Sequence, residues 1–279
     1  MKVIMGLFIN YIKADLIKMK HLSILSVHIV IPIGTAAAFL TYYAYSSWDG
    51  YTKVAAYYQA LGAGFPTLIG LFCAMLAEQE LSAGTFQNML SVTKRPIAFY
   101  SKLLVLMLFG MGAVFLASVM FGTGYFFFLG QQYIQYSFYI EAAFVMMGSN
   151  IFLYILHMFL ALRFNKGVTI GLGIVESLLS ALFLTGLGDG IWMFVPAAWA
   201  CRFISMFLLR IDTCGIMGTR EGSILTYLTS IIVDHETLMH DIISMEWIMA
   251  LTIYAVITVG GISAFGIWAN GWDGTCGNE

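Results

Sequence analysis

From Leu103 to Leu129 the chain runs for 27 residues without a charged, amide, histidine or proline side chain. As an α-helix that run is about 40 Å long, more than the roughly 30 Å of a bilayer's hydrocarbon core. A core-facing helix of a soluble domain needs only one apolar stripe, and this one is apolar all round. The rest of the sequence agrees. It is 60% hydrophobic and 10% charged, with a mean hydropathy of +0.87, whereas soluble domains carry about a quarter charged residues. The sequence predicts an all-α, multi-pass membrane protein, with residues 1–279 forming a single domain.

Runs of about 20 apolar residues place six spans, at Leu22–Tyr45, Val54–Ala77, Leu103–Leu129, Phe138–Leu162, Val168–Leu187 and Trp247–Asn270. The first is too long for a signal core and no small-x-small site follows it, so no cleaved signal is expected. Ahead of it, Met1, Ile4, Met5, Phe8, Ile12, Leu16 and Met19 recur at helical spacing, with Lys2, Asn10, Lys13 and Lys20 on another face. That pattern predicts that residues 1–20 form a helix lying among lipid headgroups. Tyr42, Tyr43, Trp48, Tyr51, Tyr57 and Tyr58, then Tyr125, Tyr133, Tyr136 and Tyr139, flank the first two hairpins as interfacial belts do. With the N-terminus inside, Lys2, Lys13, Lys18, Lys20, Lys94, Arg95, Lys102, Arg163 and Lys166 all face the cytoplasm. Only Lys53, Arg202, Arg210 and Arg220 remain outside, so both termini of this sequence are expected in the cytoplasm of a cell whose plasma membrane it crosses.

Between the second and third spans lies Glu78–Lys102, EQELSAGTFQNMLSVTKRPIAFYSK. Connections between bundle helices are usually about 2–8 residues long, and this one is far longer. Ser82 or Thr85 can cap a short helix in which Phe86, Met89 and Leu90 follow at i, i+3, i+4 spacing, before Pro96 forbids continuation. An amphipathic helix with a solvent-facing apolar stripe takes a partner groove, so this stretch is expected to grip a separate soluble subunit.

Residues 188–246 are expected to form an outer helical segment. Ile191–Leu209 is apolar, but Pro196 and Arg202 lie within it and Gly186, Gly188 and Gly190 precede it, which reads as a re-entrant or surface-lying element. Ser223–Met245 reads as a second, acidic helix. Asp189, Asp212, Glu221, Asp234, Glu236, Asp241 and Glu246 outnumber Arg202, Arg210 and Arg220 there, a rim that steers cationic ligands or simply keeps a loop soluble. Glu176 is the one acid in the middle of a span. It either lines a path for a cationic substrate, together with Asp234, Glu236 and Asp241, or bonds a neighbouring helix through His157 or Asn150. His28, in the first span, reads as a packing histidine.

Several chemistries are excluded or weak. No G-x-x-x-x-G-K-[ST] loop occurs, so the chain carries no nucleotide site of its own. His235 and His240 stand at i, i+5, which turns their rings roughly 140° apart on a helix and rules out a zinc-protease pair. The four cysteines (Cys73, Cys201, Cys214, Cys276) have no metal spacing; Cys201 and Cys214 either pair or stay free thiols. Gly167/Gly171 and Gly70/Ala74/Ala77 suit close helix crossings, within the chain or with a second transmembrane subunit.

The layout resembles the permeases of type-2 ABC exporters, and Glu78-Gln-Glu-Leu-Ser-Ala-Gly-Thr-Phe-Gln-Asn-Met-Leu90 is similar to the E-x-x-x-G-x-F-Q-x-L-L pattern of lantibiotic-immunity permeases, the group named after mutacin immunity protein G. Gly188-Asp-Gly-Ile-Trp192 with Pro196 also looks like that group. The resemblance implies a non-enzymatic subunit that pairs with a second, homologous permease and an ABC ATPase dimer. The complex would expel cationic antimicrobial peptides from the membrane, with ATP and magnesium on the ATPase and no nucleic acid involved. Glu78, Glu80, Gly84, Phe86, Gln87, Met89 and Leu90 would then meet the ATPase. The competing readings are a type-2 permease for a lipid, drug or polysaccharide, an ion-coupled transporter, and an intramembrane enzyme. Neither an inverted repeat nor paired broken helices support the second, and His157 with Glu176 gives the third thin support.

Overall fold

The computed structural model describes residues 2–19, 23–92, 94–130, 134–215 and 238–274. Every regular element among them is helical: α1 (Lys2–Met19), α2 (Ser23–Tyr45), α3 (Gly50–Ser82), α4 (Gln87–Leu90), α5 (Arg95–Leu129), α6 (Tyr136–Ser149), α7 (Ile151–Arg163), α8 (Lys166–Leu182), α9 (Pro196–Gly215) and α10 (Leu238–Gly271). Two 3-10 turns, Gly186–Gly188 and Trp192–Phe194, join α8 to α9.

Among the described residues, four helices are long and apolar enough to cross a membrane: α2, α3, α5 and the Met245–Gly271 part of α10. Helices α6 and α7 pass the same test jointly but bend by 43° at their junction. The bend has a local cause. Tyr254 of α10 donates its hydroxyl to the Gly148 carbonyl at 2.6 Å, and Ser149 and Asn150 turn their side chains onto the carbonyls of Val145 and Met146. The expected fifth span, Val168–Leu187, stops as a helix at Leu182. Its 17 residues reach only about 25 Å, short of the hydrocarbon core.

Helix α8 is patterned for lipid rather than water. Val168, Ile174, Val175, Leu178 and Leu182 are exposed, while Thr169, Gly173, Glu176 and Ser180 are buried. Small residues set its crossing with α3. A Cβ at Gly70 would meet the Thr169 carbonyl oxygen at 2.8 Å, and one at Gly173 the Pro66 carbonyl oxygen at 2.7 Å. Gly70 therefore does what its spacing predicts. Gly171, by contrast, has nothing within 4 Å of such a Cβ.

The region after α8 departs most from the sequence reading. Helix α9 does not lie on a surface: Ala197, Ala198, Trp199, Ala200, Cys201, Ile204 and Leu208 are all buried, and the helix packs on α3, α6 and α8. Arg202 is accommodated by the end of α8, donating to the carbonyls of Phe183 at 2.8 Å and Thr185 at 3.1 Å and to Asp189 at 2.9 Å. A cation at a helix C-terminus meets its unpaired carbonyls and dipole. Trp192 bonds Glu246 at 2.8 Å and, with Trp199 and Phe203, forms a small core against α10. The acidic helix expected at Ser223–Met245 lies mostly outside the described residues, and from Leu238 the chain is already α10.

The aromatic residues also divide. Tyr42, Tyr45, Trp48 and Tyr136 are exposed, whereas Tyr43, Tyr57, Tyr58, Tyr125 and Tyr139 are buried. Tyr57 stacks on Phe121 at 3.8 Å and bonds the Ala117 carbonyl at 2.9 Å. These belong to the bundle core, not to a belt. Cys73 and Cys201 are free, buried thiols.

Candidate functional site at the α3–α5 connection

The connection between α3 and α5 is built by backbone geometry first. Helix α3 runs past the expected span end, through Glu78 and Glu80, to Ser82. Gly84 then takes φ 135°, which glycine tolerates, and Thr85 and Phe86 follow at φ 47° and 63°. The amides of Thr85 and Phe86 turn back onto the carbonyls of Leu81 (2.8 Å) and Glu80 (3.2 Å), satisfying the open end of α3. A left-handed aromatic residue is strained, so something must hold Phe86 there.

Its ring does. Phe86 is 1% exposed and sits edge-to-face on Trp272 with centroids 5.0 Å apart; Trp272 in turn packs on Phe99 at 5.5 Å. Arg95 donates to the Trp272 carbonyl at 2.6 Å. Met89 is buried and Leu90 packs against the core. The apolar stripe of α4 is therefore filled by this chain's own α10 end and does not face solvent as the sequence reading had it. The helix is also shorter than expected, four residues, and neither Ser82 nor Thr85 caps it. Among the described residues of the connection, Glu78, Leu81, Ser82, Ala83, Gly84, Thr85, Gln87, Asn88, Ser91 and Lys94 are exposed.

Beneath the connection lies a group of charges that ties α1, α3 and α5 together. Lys102 reaches Asp15 at 2.6 Å and Glu80 at 2.7 Å, Lys18 adds a contact to Glu80 at 2.9 Å, and Ser101 donates to Asp15 at 2.8 Å. Glu80 is thus an internal strut, while Glu78 stays exposed and pairs with Lys166 at 2.6 Å. Asp15 was missed from sequence. Its signal was there: it is the only acid before Asp49, inside an otherwise basic amphipathic helix.

Of the residues expected along a substrate path, Glu176 is the one whose side chain lies among the described residues. Glu176 bonds His157 Nε2 at 2.6 Å, both buried, which is the bridge to a neighbouring helix that the sequence allowed; Asn150 turns to its own helix instead. Asp234 and Glu236 lie outside the described residues, as does the side chain of Asp241, and so do His235 and the side chain of His240. Of the outer acids, Asp189 is paired with Arg202 and Glu246 with Trp192. No group of three or more candidate metal ligands occurs among the described residues.

With four long apolar helices and a bent apolar pair among its described residues, the bundle is that of a multi-pass membrane protein. A family model described as ABC-2 family transporter protein matches residues 11–182, more than half of the sequence, and the chain belongs to that family. The matched stretch begins in α1 and contains the whole α3–α4–α5 connection. No curated protein and no solved structure matches the chain.

Proposed function

We propose that the chain is the membrane subunit of an ABC exporter for lantibiotics or related cationic peptides, moved by a separate ATPase dimer that seats on the α3–α5 connection. The observation that carries this reading is the form of the connection. A seat for a motor must be rigid at its base and accessible at its tip. Here Phe86, Met89 and Leu90 root the turn, while Glu78, Gly84 and Gln87 face outward. Glu80 joins that base, as the strut to α1 and α5. Family membership supports an ATPase partner in general, and the peptide substrate rests on the likeness of Glu78–Leu90 to the lantibiotic-immunity pattern.

In this reading the chain makes six crossings: α2, α3, α5, the bent α6–α7 pair, α8 with α9 completing its depth, and α10. The connection and both ends of this sequence lie in the bacterial cytoplasm, in keeping with the excess of basic residues at that end. A second, homologous permease completes the transporter. Catalysis belongs to the partner, which binds ATP and magnesium. Glu176 with His157, and Asp234, Glu236 and Asp241, border the peptide's route.

The test is purification from mild detergent. The wild-type chain brings an ATP-binding subunit with it; E78R/Q87R, which changes only exposed positions, inserts normally and loses that subunit. Undiminished co-purification of the double variant counts against the seat. Wild-type lantibiotic tolerance in a deletion strain counts against the substrate and leaves the seat standing.

A further inference from the structure

At the end of the bundle that holds the α3–α5 connection, helices α5 and α10 are tied to each other twice. Tyr100 donates its hydroxyl to the Ile262 carbonyl at 2.6 Å, and Arg95 donates to the Trp272 carbonyl at 2.6 Å. Gly266 permits the first tie, since a Cβ there would collide with the Tyr100 hydroxyl. Between the ties lies an open groove of about 560 Å³. Pro96, Ile97, Gly266 and Ile267 form its apolar part, with Lys94, Asn270 and Ser263 as its polar lining. Ile267 is 77% exposed. The lining is graded along the helix axes. Helix α5 starts at this end and α10 finishes there, so Lys94 and Asn270 share the rim. Ser263, seven residues before Asn270, stands about 10 Å deeper. It keeps its proton on the Val259 carbonyl of its own helix at 3.0 Å. Lys94 is the one charged residue in the lining. It is exposed and makes no ion pair with another described residue.

We infer that this groove is a binding site for one anionic phospholipid of the adjoining leaflet. Its phosphate sits at Lys94 and Asn270, and an acyl chain lies along Ile97, Gly266 and Ile267. The order of the lining is that of a lipid, charge at the rim and hydrocarbon below it. The size fits, since pockets of roughly 300–1,000 Å³ hold molecules of this kind. The charge decides between occupants. A helix of a second copy seated here would cover the Lys94 ammonium and leave it without a counter-charge, which is costly in a membrane. A phosphate supplies that counter-charge through a charge-assisted hydrogen bond. A free phosphate ion would use the rim alone and gain nothing from the apolar wall, and a zwitterionic lipid brings its own cation to the rim. The walls are also held in place by the two ties, so little ordering cost is left for the lipid to meet. Once seated, the lipid braces α5 against α10 beside the contact between Phe86 and Trp272. This site rests on neither the ATPase seat nor the peptide route.

The experiment uses the full chain in phosphatidylcholine nanodiscs doped with one of two photoactivatable probes, phosphatidylglycerol or phosphatidylcholine. Both carry the same diazirine-bearing acyl chain, and labelled residues are located by peptide mass spectrometry. Wild type is expected to be labelled saturably within residues 94–100 and 262–270. The phosphatidylglycerol probe should bind there about fivefold tighter, the ratio one lysine beside an anionic lipid supplies. K94Q is expected to bring it down to the phosphatidylcholine level. K13Q removes an exposed lysine of α1 at the same end and is expected to leave the ratio unchanged. S263F fills the deep end of the groove and should remove saturable labelling by both probes, with an unchanged thermal midpoint; I97W fills it from α5 and serves where S263F does not fold. Equal labelling by the two probes, an unaltered preference in K94Q, or a loss in K13Q as large as in K94Q overturns the proposal. So does labelling that survives both filling variants, or a groove that stays unlabelled in wild type, as it would with a second copy seated in it.

Discussion

Replacing Lys102 by methionine tests how α1 is held. The ammonium is 6% exposed and lies 2.6 Å from Asp15 and 2.7 Å from Glu80, whose side chains are 7% and 1% exposed. Without it, Asp15 keeps only the Ser101 hydroxyl, and Glu80 keeps Lys18, itself 35% exposed. Removing one partner from a buried ion pair costs about 3–5 kcal/mol, because the other charge stays behind uncompensated. The remaining Lys18–Glu80 contact, at the edge of solvent, is worth no more than about 1 kcal/mol and does not make up the loss. K102M should therefore unfold about 3–5 kcal/mol more easily in a sodium dodecyl sulfate titration from mild detergent. Trypsin should also cut behind the exposed Lys13 faster than in wild type, since α1 is no longer pinned. The triple variant D15N/E80Q/K102M removes the stranded charges along with their partner and should return to within about 1–2 kcal/mol of wild type, because neutral replacement of a buried ionic group is often tolerated. A K102M midpoint equal to wild type would refute the reasoning. So would a triple variant as unstable as K102M, which would assign the effect to the packing of the lysine stem.

Two further outcomes follow from the packing. G70V and G173V should each abolish folded yield or sharply lower the unfolding midpoint, because the new side chain meets a backbone carbonyl oxygen that cannot swing away, while G171V, with open space at its Cβ, should behave as wild type. F86A should cost about 3–5 kcal/mol in anchoring the connection, read as faster amide exchange over residues 84–92 with no change in α2; unchanged exchange there would show that the strained turn holds itself.

The sequence and the bundle correspond where a signal is local. Runs such as Leu103–Leu129 announce a helix whatever it touches, Gly70 announces a close crossing, and Glu176 announces a partner because an isolated acid in lipid is too costly. Phe86, Met89 and Leu90 were rightly taken as one face. What their spacing does not carry is the partner of that face, which is Trp272, 186 positions further along the chain. Helix α9 fails for a related reason. Pro196 and Arg202 argue against burial by composition, yet proline fits the first turn of a helix, and Arg202 is satisfied by the α8 carbonyls, which no reading of its neighbours reveals. The fifth span was placed by hydropathy alone, which does not record that the helix stops at Leu182 and that the apolar stretch goes on as a 3-10 turn at Gly186–Gly188.

The contact between Phe86 and Trp272 changes the mechanics of the connection from a hinge between two neighbours to a joint shared with the last helix. A displacement applied at Gly84 passes through the Phe86 ring to Trp272 and, by way of Arg95, to the beginning of α5. Under the proposed seating of an ATPase, helices α3, α5 and α10 would move together, and a chain cut short before Trp272 would leave that partner pushing against a loose end.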